Sequence, residues 1–469
     1  MTMTTILNLK IGEARNVPRL WLEGQKLSKA GVKVGARYSL KALAGERIEL
    51  HEVDAAYQGP TFNVSKRERN GVVHPLFEIR TGKLREVFEQ VESVRVAIRN
   101  GRIVVTAHHM VGKIRERVAR VLAKLRKGAE LAVCSLFHGG GVLDRALHDG
   151  MMQKGVPSFT QVAVEIESNY LDASLRNNRD LWRDESVAIC SDVRDVNWQH
   201  SPIACDVLTA GLPCTGMSKS GRAKNKLTCG EEHAKAGALF VDFLEAVRNV
   251  NPAIVVLECV PELQNSASMA VIRSVLDSLG YVLQEAVLDG AAFGALERRQ
   301  RFVAVAVTKG LTVTFDFESL AQVKIKEACI RDVLEPIGED SPRWKTYSYL
   351  ANKAVRDKAA GKGFARQLLT GDEQACGTIG RLYSKARSTE PFLIHPRFPE
   401  LSRLFTPIEH ARLKGIPEGV IEGESETVAH EILGQSVVFP QFHSVGIAIG
   451  ALLKEAIAED TTPAMAIAA

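Results

Sequence analysis

The stretch VLTAGLPCTGMSKSGR, residues 207–222, places a thiol in a glycine-containing loop directly after a short apolar run. The thiol belongs to Cys214, and Pro213 precedes it. A cysteine in such a loop, near helix N-termini and basic residues, is readily activated as a thiolate, whereas a core cysteine would lie inside the apolar run. We therefore predict that Cys214 is a nucleophile.

A carboxyl group and several guanidinium groups follow later apolar runs. Glu258 stands near the end of VVLECV, and a Glu directly after four apolar residues is rarely buried without a role. The stretch FGALERRQRFVAVAV places Arg298, Arg299 and Arg301 just before another apolar run. Guanidinium groups there are suited to contact phosphate or substrate oxygens.

Three earlier runs end in residues that are suited to a nucleoside. HGGG, with Gly139 and Gly141, follows LAVCSLF, and glycine at a strand-to-helix turn lets a ligand approach the backbone. Glu165 ends the next run at the spacing from Gly141 at which a carboxylate reaches ribose hydroxyls, and Asp192 follows the third run. Each feature alone is equally compatible with turn punctuation or a helix cap. Together they indicate a nucleoside-containing cofactor.

These residues must be positioned by an α/β fold. The runs LAVCSLF, FTQVAVEI, VAICSDV, CDVLTAG, AIVVLEC and FVAVAV are short and rich in Val and Ile, and segments of helical periodicity separate them. That alternation predicts a parallel sheet with helices on both faces. Ligands bind at the carboxyl ends of strands in such sheets, which is where the residues above stand.

The first 112 residues lack this alternation and carry an internal echo. PRLWLEGQKL from Pro18 and PLFEIRTGKL from Pro75 share one pattern, and each is followed by a further β-like run. We predict two copies of a small β unit. The first copy resembles the swapped-hairpin β domains of the SymE and AbrB class, which implies nucleic-acid binding. Dimerisation or a lid role is an equally open alternative.

Composition sets limits on class and location. The chain has 469 residues, 45% hydrophobic residues and a formal net charge of +5, which permits a polyanionic partner without demanding one. Its eight cysteines are scattered without a CxxC pair, which argues against a disulfide framework or a zinc site. No secretory signal or membrane-spanning run is visible. We expect a soluble protein of the reducing cytoplasm, without a metal and without membrane contact.

Read in order, the motifs resemble those of the DNA (cytosine-5)-methyltransferase family over roughly residues 131–310 and 400–450. The matching stretches are LFHGGG, VEIESNYLDASLRNN, CSDVRDV, GLPCTGMSKSG, LECVPEL, FGALERRQR, RLFTPIEHARLKGIPEG and ILGQSVVFPQFHSVGIAIG. Six or more motifs in family order form a specific signal, although any one alone does not. The resemblance implies a Rossmann-like S-adenosylmethionine-dependent methyltransferase domain, a small target-recognition domain and the β-rich N-terminal domain.

The resemblance also implies roles. The thiolate of Cys214 would add to cytosine C6 while Glu258 stabilises charge at N3, Arg299 would lie beside the pyrimidine oxygen, and Arg301 would complete the catalytic set. The base would be flipped out of duplex DNA. The residues implied for S-adenosylmethionine are Phe137, Gly139, Gly141, Glu165, Ile166, Asp192, Val193, Pro213, Gln435, Ser436 and Val437.

The sequence departs from the family pattern at several places. Cys259 stands where Asn usually follows the catalytic Glu, Leu296 and Glu297 replace Pro-Gln, Gln435 replaces Asn, and Val142 replaces the third motif glycine. None removes the predicted nucleophile, acid or arginine. They leave room for altered cofactor geometry, an unusual alkyl donor or a degenerate enzyme.

The segment between the catalytic blocks is basic. Residues 343–389 contain ten Lys or Arg against three acids, with aromatic residues interleaved, which favours phosphate contact and base stacking over the alternative of a solvated linker. The residues that we predict to bind substrate are Ser218, Arg343, Lys345, Lys362 and Arg381. The predicted organisation is a β-rich domain (1–112), a linker helix (113–130), catalytic blocks (131–310 and 401–458), a target-recognition region (311–400) and a tail (459–469).

The predicted function is methylation of cytosine C5 in double-stranded DNA. Two alternatives stay open: an RNA cytosine methyltransferase of the same fold, and a non-catalytic DNA-binding regulator. The sequence is compatible with a partner nuclease, and it reveals neither the target sequence nor the oligomeric state.

Overall fold

The computed structural model of the chain describes residues 3–43, 47–88, 91, 93–200, 203–361, 364 and 366–461, with the backbone alone at 219, 220, 460 and 461. The chain divides into two compact units, Met1–Glu116 and Arg117–Ala469. Each unit has its own hydrophobic core.

The first unit consists of two antiparallel sheets. Its ten strands are β1 (Thr5–Lys10), β2 (Gly12–Ala14), β3 (Val17–Glu23), β4 (Arg37–Leu43), β5 (Arg47–Val53), β6 (Phe62–Asn63), β7 (Ser65–Arg69), β8 (Val72–Arg80), β9 (Ser93–Arg99) and β10 (Arg102–Ala107). Two short helices, α1 (Gln25–Lys29) and α2 (Lys83–Val87), follow β3 and β8. One sheet has the order β1-β9-β10-β5-β4-β6, and the other β2-β3-β8-β7.

The sequence echo corresponds to a repeated strand-helix unit, because β3–α1 and β8–α2 are its two copies. The copies are 57 residues apart, so Leu20 corresponds to Phe77 and Leu22 to Ile79. Strands β3 and β8 pair so that Leu20 faces Ile79 and Leu22 faces Phe77. Exchanging the copies therefore maps one pair onto the other, which is the register of a pseudo-two-fold axis within this unit.

Helix α3 (His109–Arg126) begins and ends four residues earlier than the predicted linker helix. It ends there because Gly128 adopts a φ of +62°, which closes the last turn. From Arg117 onward the helix is an integral part of the second unit. The Arg117 guanidinium is buried, donates to Thr308 Oγ1 at 2.7 Å and lies 3.8 Å from the Tyr281 ring centroid.

The second unit is built on a seven-stranded sheet. Its strands are β11 (Leu131–Leu136), β12 (Ser158–Glu165), β13 (Val187–Cys190), β14 (Val207–Gly211), β15 (Ile254–Cys259), β16 (Tyr281–Asp289) and β17 (Gln300–Thr308). Helices α4 (Val142–Gln153), α5 (Ser168–Asn177), α6 (Lys219–Asn225), α7 (Leu239–Val250) and α8 (Ala267–Ser278) connect them. This mixed α/β sheet confirms the predicted fold class.

The strand order is β13-β12-β11-β14-β15-β17-β16. The prediction of an all-parallel sheet is wrong for FVAVAV, because β17 runs antiparallel to both β15 and β16. Strand β16, which the sequence reading missed, joins β17 in an antiparallel hairpin. The order reverses between β11 and β14, and a crevice at their carboxyl ends is the usual ligand site of such a sheet.

The remaining elements follow β17. They are α9 (Ser348–Ala359), the three-stranded sheet of β18 (Gln367–Leu369), β19 (Pro391–Ile394) and β20 (Ser402–Arg403), and helices α10 (Pro407–Leu413), α11 (Glu426–Gln435) and α12 (Phe439–Thr461). Helix α10 begins with a capping box, in which Thr406 and Glu409 exchange side-chain-to-backbone hydrogen bonds. In the described part of the chain no single helix meets the length and hydropathy of a membrane span, whereas the bent pair Glu426–Gln435 and Phe439–Glu459 does.

Candidate active site

Cys214 lies on an exposed loop at the carboxyl end of β14. The backbone fixes this loop, because the carbonyl oxygen of Cys214 accepts a hydrogen bond from the Ser218 amide at 2.9 Å. Ser218 in turn caps α6, its hydroxyl oxygen accepting from the Gly221 amide at 3.1 Å. A Cβ atom on Gly221 would lie 1.9 Å from the Thr215 carbonyl oxygen, so this tight turn requires glycine. The thiol is thus presented on a defined turn beside the central strands.

Glu258 lies at the end of the neighbouring strand β15. The parallel register pairs Gly211 with Glu258, and a Cβ on Gly211 would be 3.5 Å from Glu258 Oε2. The carboxylate forms an ion pair with Arg301, Oε1 to Nε 2.8 Å. Burial raises the pKa of Glu258, and the positive charges of Arg301 and Arg299 oppose this rise without cancelling it. A raised pKa favours the protonated form of the carboxyl group, which is the form that can donate a proton.

Arg299 has other contacts than Arg301, and its place beside the pyrimidine oxygen stays a prediction. Arg301, and not Arg299, holds the direct ion pair with Glu258. The Arg299 side chain is 3% exposed and donates to the carbonyl oxygens of Ile379 (3.3 Å) and Gly434 (3.0 Å). Arg299 precedes β17, and its contribution to Glu258 is electrostatic, since its charge opposes the rise in the pKa of Glu258.

Charges around the thiol belong to the same cluster. Burial lowers the pKa of Arg299, and the negative charges of Glu297 and Glu258 oppose this fall. Burial raises the pKa of Cys259 well above its ordinary value, and the negative charges of Glu258 and Cys214 add to that rise. Cys259, which replaces the usual Asn, donates its thiol to the Leu212 carbonyl oxygen at 3.5 Å. It therefore acts as a neutral support for the loop.

A buried ion pair behind this cluster was missed by the sequence reading. Glu297 and Lys414 are both fully buried, and Glu297 Oε2 lies 3.8 Å from Lys414 Nζ. Lys414 Nζ donates to the carbonyl oxygens of Leu433 and Ser436 (3.0 Å to the latter), at the end of α11. The departure to Glu at 297 was the available signal, because a buried carboxylate requires a partner.

The glycine turn after β11 packs closely against neighbouring side chains. Phe137 and Gly139 both have positive φ, +57° and +58°, and Gly141 has +76°. A Cβ on Gly140 would lie 2.6 Å from Ile432 Cγ2, and one on Gly141 would lie 2.6 Å from Ser174 Oγ. The backbone can follow this path only with glycine at these positions, which leaves the turn open to a ligand at the N-terminus of α4.

His138, another residue that the sequence reading missed, fixes this turn from below. Its ring nitrogens lie 2.9 Å from Asp144 Oδ2 and 2.7 Å from Ser174 Oγ. Asp144 also accepts from Ser135 (2.6 Å) and Thr209 (2.6 Å). Burial by itself would raise the pKa of Asp144, but its contacts with His138, Ser135 and Thr209 outweigh burial and lower it. This network joins β11, β14, α4 and α5 beneath the turn.

Glu165 ends β12 directly beside the turn. One carboxylate oxygen accepts from the Gly139 amide (2.7 Å) and the other from the Glu167 amide (3.0 Å). A carboxylate has about four acceptor positions, so two remain for a ligand. Ile166 follows with 62% of its surface exposed, an unusual position for a large apolar side chain at a strand end unless a ligand covers it.

Asp192 lies at the third strand end but is already occupied. Its carboxylate accepts from the Arg194 amide (3.1 Å) and forms an ion pair with the Arg194 guanidinium at 2.5 Å. It therefore acts as a cap, and its predicted adenine contact stays a prediction. Val193 is buried, so its side chain belongs to the core in this structure.

The return motif lies against the glycine turn. A Cβ on Gly139 would come within 3.3 Å of Gln435 Nε2, which places this side chain at the turn. Ser436 donates its hydroxyl to the Leu433 carbonyl oxygen at 2.8 Å, and Val437 is buried. Pro213 is partly buried on the nucleophile loop. The structure thus brings the predicted cofactor residues from five separate stretches to the carboxyl ends of the sheet strands.

The cations predicted to bind substrate are only partly available. Arg343 forms an ion pair with Glu426 (3.0 Å), and Arg381 forms one with Glu167 (2.9 Å). Lys345 is exposed, with no ion pair to any residue that the structure describes. Lys362 lies outside the described residues. Two of the predicted substrate-binding cations thus have acidic partners within the fold, and their role in binding substrate stays a prediction.

Comparison with known families decides the classification. Residues 131–451, more than half of the chain, match the family described as C-5 cytosine-specific DNA methylase. The chain belongs to this family. The match begins at β11 and ends in α12, so it contains the nucleophile loop, the Glu258–Arg301 pair and the glycine turn of this C-5 cytosine-specific DNA methylase.

Individual relatives show the same relationship. The chain is 27% identical to the Type II methyltransferase M1.ScrFI of Lactococcus lactis subsp. cremoris, over 51% of this chain and 61% of that protein. It is 27% identical to the Type II methyltransferase M.NlaX of Neisseria lactamica (55% and 79%) and 28% identical to a DNA-cytosine methyltransferase of Escherichia coli strain K12 (55% and 63%). The chain thus spans about three fifths of the first relative's length.

Solved structures agree on the fold. The S. pombe Dnmt2 methyltransferase matches with a TM-score of 0.54 at 21% identity, covering 70% of this chain and 99% of that one. The Entamoeba histolytica methyltransferase EhMeth matches with a TM-score of 0.52 at 18% identity (71% and 99%). At these identities the likeness concerns the fold alone.

Proposed function

We propose that this protein transfers a methyl group from S-adenosylmethionine to C5 of a flipped-out cytosine in double-stranded DNA, through a covalent bond between Cys214 and C6. The observation that carries the proposal is the register of β14 and β15, which places the Cys214 loop beside a buried carboxyl group that is paired with Arg301. The names of the relatives, which are Type II and DNA-cytosine methyltransferases, support DNA as the substrate.

The chain's own residues can perform the ring chemistry. Cytosine C5 is a poor nucleophile until a nucleophile adds to C6, which breaks the C5–C6 double bond and makes C5 enamine-like. The Cys214 thiolate forms a bond to C6 while Glu258 donates a proton to N3, so charge does not accumulate on the ring. Arg301 holds Glu258 in place by the 2.8 Å ion pair. After alkylation, loss of the C5 proton to a base, departure of the Cys214 thiolate and return of the N3 proton to Glu258 restore the aromatic ring.

The glycine turn fits S-adenosylmethionine. Its backbone leaves no room for a Cβ at Gly140 or Gly141, Glu165 retains free acceptor positions, and the exposed Ile166 offers an apolar surface. These residues, with Gln435, would hold the nucleoside part of the cofactor. When bound, the cofactor supplies an electrophilic methyl group.

The first experiment tests substrate and chemistry together. Purified protein is incubated with S-adenosylmethionine labelled on its methyl group and with duplex DNA, in parallel with tRNA. We expect label in cytosine C5 of DNA, and label in tRNA alone would reverse the substrate assignment. Bisulfite sequencing of DNA from cells that express the protein would then give the target sequence, and transfer without a partner nuclease present would separate modification from restriction.

The second experiment tests the nucleophile. A duplex with 5-fluorocytosine cannot lose its C5 substituent, so the protein should become covalently trapped on it and migrate as a larger species in denaturing gels. Cys214→Ala should abolish both trapping and transfer while leaving cofactor affinity unchanged by calorimetry. Cys229→Ala, which alters another exposed cysteine, is the matched control and should behave as the native chain. A trapped Cys214→Ala protein would refute the assignment.

A further inference from the structure

The six-stranded sheet of the first unit has a strongly basic outer face. The antiparallel registers place alternate residues of each strand on that face, for example Arg95 of β9 beside Thr106 of β10 and Arg47 of β5. We name this surface the basic sheet face. Its cations are Lys10, Lys41, Arg47, Arg95, Arg99 and Arg102, all exposed.

The positive charge of the chain is concentrated in this unit. Residues 1–116 contain 20 Lys and Arg against 12 Asp and Glu, a net charge of +8, whereas the whole chain carries +5. Residues 117–469 are therefore at −3. The formal excess of positive charge therefore lies in the first unit, and what a polyanion can use of it depends on which cations are exposed and unpaired.

The face is poor in acids that could neutralise it. On the outward positions of the described strands the carboxylate is that of Glu49, which contacts Arg47 (2.8 Å), Arg102 (2.9 Å) and His51 (3.1 Å). Hydrogen bonds from Arg47, Arg102 and His51 lower the pKa of Glu49 to about 2. It is thus a permanent anion shared by two guanidinium groups, and the face retains a net positive charge around it.

The other four cations of the basic sheet face are widely spaced and, within the described part of the chain, unpaired. Lys10, Lys41, Arg95 and Arg99 have no ion pair with any residue in the described ranges. Arg95 and Arg99 are four residues apart on β9, which is about 13 Å along a strand, and Lys41 on β4 is three strands away, which is about 14 Å. These separations are comparable with a DNA groove about 12 Å wide that has phosphates along both edges.

The chemistry of the face distinguishes a nucleic acid from a protein partner. Between the cations stand Ser39, Ala97, Val104 and Thr106, and Ile6 lies on the edge strand β1. Protein interfaces depend on buried aromatic and large apolar anchors at their centre, and the outward positions described here carry no Phe, Tyr or Trp. The same absence argues against stacking of unpaired bases, which needs aromatic platforms.

We propose that the basic sheet face binds the phosphate backbone of duplex DNA without reading its sequence. The choice of DNA rests on the proposed function, whereas the polyanion site rests on the face itself. It gives the chain a second hold on its substrate, so that the protein stays on the duplex between encounters with target cytosines.

The test uses the full-length chain and a 30-base-pair duplex of A·T pairs only. Such a duplex contains no cytosine, so its binding isolates backbone contact from the methylation site. Fluorescence anisotropy gives its Kd from 50 to 300 mM NaCl for the native chain and for the triple variant Lys41→Gln, Arg95→Gln and Arg99→Gln. We expect at least about tenfold weaker binding at 50 mM and a slope of log affinity on log salt reduced by about 2 to 3, near 0.9 per lost phosphate contact.

The matched control removes the same charge elsewhere on this unit. Lys33→Gln, Lys66→Gln and Lys83→Gln replace three exposed lysines that lie off the face. It should change affinity less than twofold, and both variants should keep the native kcat on saturating cytosine-containing DNA. Equal affinity of the two variants, or loss on duplex RNA but not on DNA, overturns the inference. A native chain that binds the A·T duplex through this face but never methylates DNA would refute the proposed function instead.

Discussion

The buried Glu297–Lys414 pair yields the most discriminating prediction for the catalytic unit. Glu297 Oε1 accepts from the Ile379 amide (3.1 Å) and from the Arg299 guanidinium (3.3 Å), while Oε2 has no hydrogen-bond partner and faces Lys414 at 3.8 Å. Burial lowers the pKa of Lys414 well below its ordinary value, and Glu297 counteracts this by favouring the charged form. The two groups therefore stabilise each other's charge in a site that water does not reach.

The perturbation is a double-mutant cycle with Glu297→Gln and Lys414→Met. Removing one partner of a buried ion pair costs about 3–5 kcal/mol, because the other charge is left uncompensated. Lys414→Met also removes donors to two carbonyl groups, at about 1 kcal/mol each. In the double variant only the second cost remains, so we expect about 2 kcal/mol. The losses in the free energy of unfolding of the two single variants, added together, should therefore exceed the loss in the double variant by several kcal/mol.

The assay is urea unfolding followed by tryptophan fluorescence. The chain has two compact units, so one transition cannot be assumed, and a probe confined to the second unit is needed. Trp21 is in the first unit and the other three tryptophans are in the second, so Trp21→Phe provides the background for all four proteins. If the two single effects add within about 0.5 kcal/mol, the pair is not coupled and the reasoning is wrong.

Three further predictions concern the same unit. Glu258→Gln keeps the shape of the side chain but cannot donate a carboxyl proton, so kcat should fall on the order of 10²- to 10⁴-fold with unchanged cofactor affinity by calorimetry. Burial lowers the pKa of His430 to about 4. Between its usual value near 6.5 and 4 the unfolded state therefore binds more protons than the folded state. The free energy of unfolding from urea titrations should fall as the pH is lowered through this window, by up to about 1.4 kcal/mol per pH unit, and His430→Gln should remove that part of the slope. Gly446→Ala would place a Cβ 2.4 Å from the Leu147 carbonyl oxygen and should cost about 1–3 kcal/mol, measured by calorimetry, whereas Gly112→Ala meets nothing within 4 Å and should be neutral or stabilising.

The sequence was sufficient to predict which residues meet at the sheet edge. Gly139, Glu165, Cys214 and Glu258 each directly follow or end an apolar run, and in a parallel sheet the ends of such runs share one edge. The direction of β17 could not be read in the same way, because an apolar run buried on both faces looks the same whether it runs parallel or antiparallel.

Partners across the sequence were the harder part. The choice between Arg299 and Arg301 depends on partners that are distant in the sequence, because Arg301 pairs with Glu258 whereas Arg299 donates to the carbonyl oxygens of Ile379 and Gly434. Lys414 lies 117 positions from Glu297, so no local pattern connects the two. The only signal in the sequence was a carboxyl group at position 297, where the family has an amide. That this position is buried was not visible before the fold was known.

Counting charged residues along the sequence also fails to predict how much charge a ligand can reach, because the partners of each charge are not visible in the sequence. The two basic regions of this chain show this. Residues 343–389 carry a large excess of cations, yet Arg343 and Arg381 are paired with acids that lie outside the segment. On the basic sheet face the cations outnumber the acids that can reach them, so their charge is available to a ligand. Electrostatic attraction to DNA depends on unpaired charge at the surface and not on the formal sum along the chain. The salt dependence of binding to a cytosine-free duplex should therefore follow changes on the N-terminal face more closely than changes at Arg343 or Arg381.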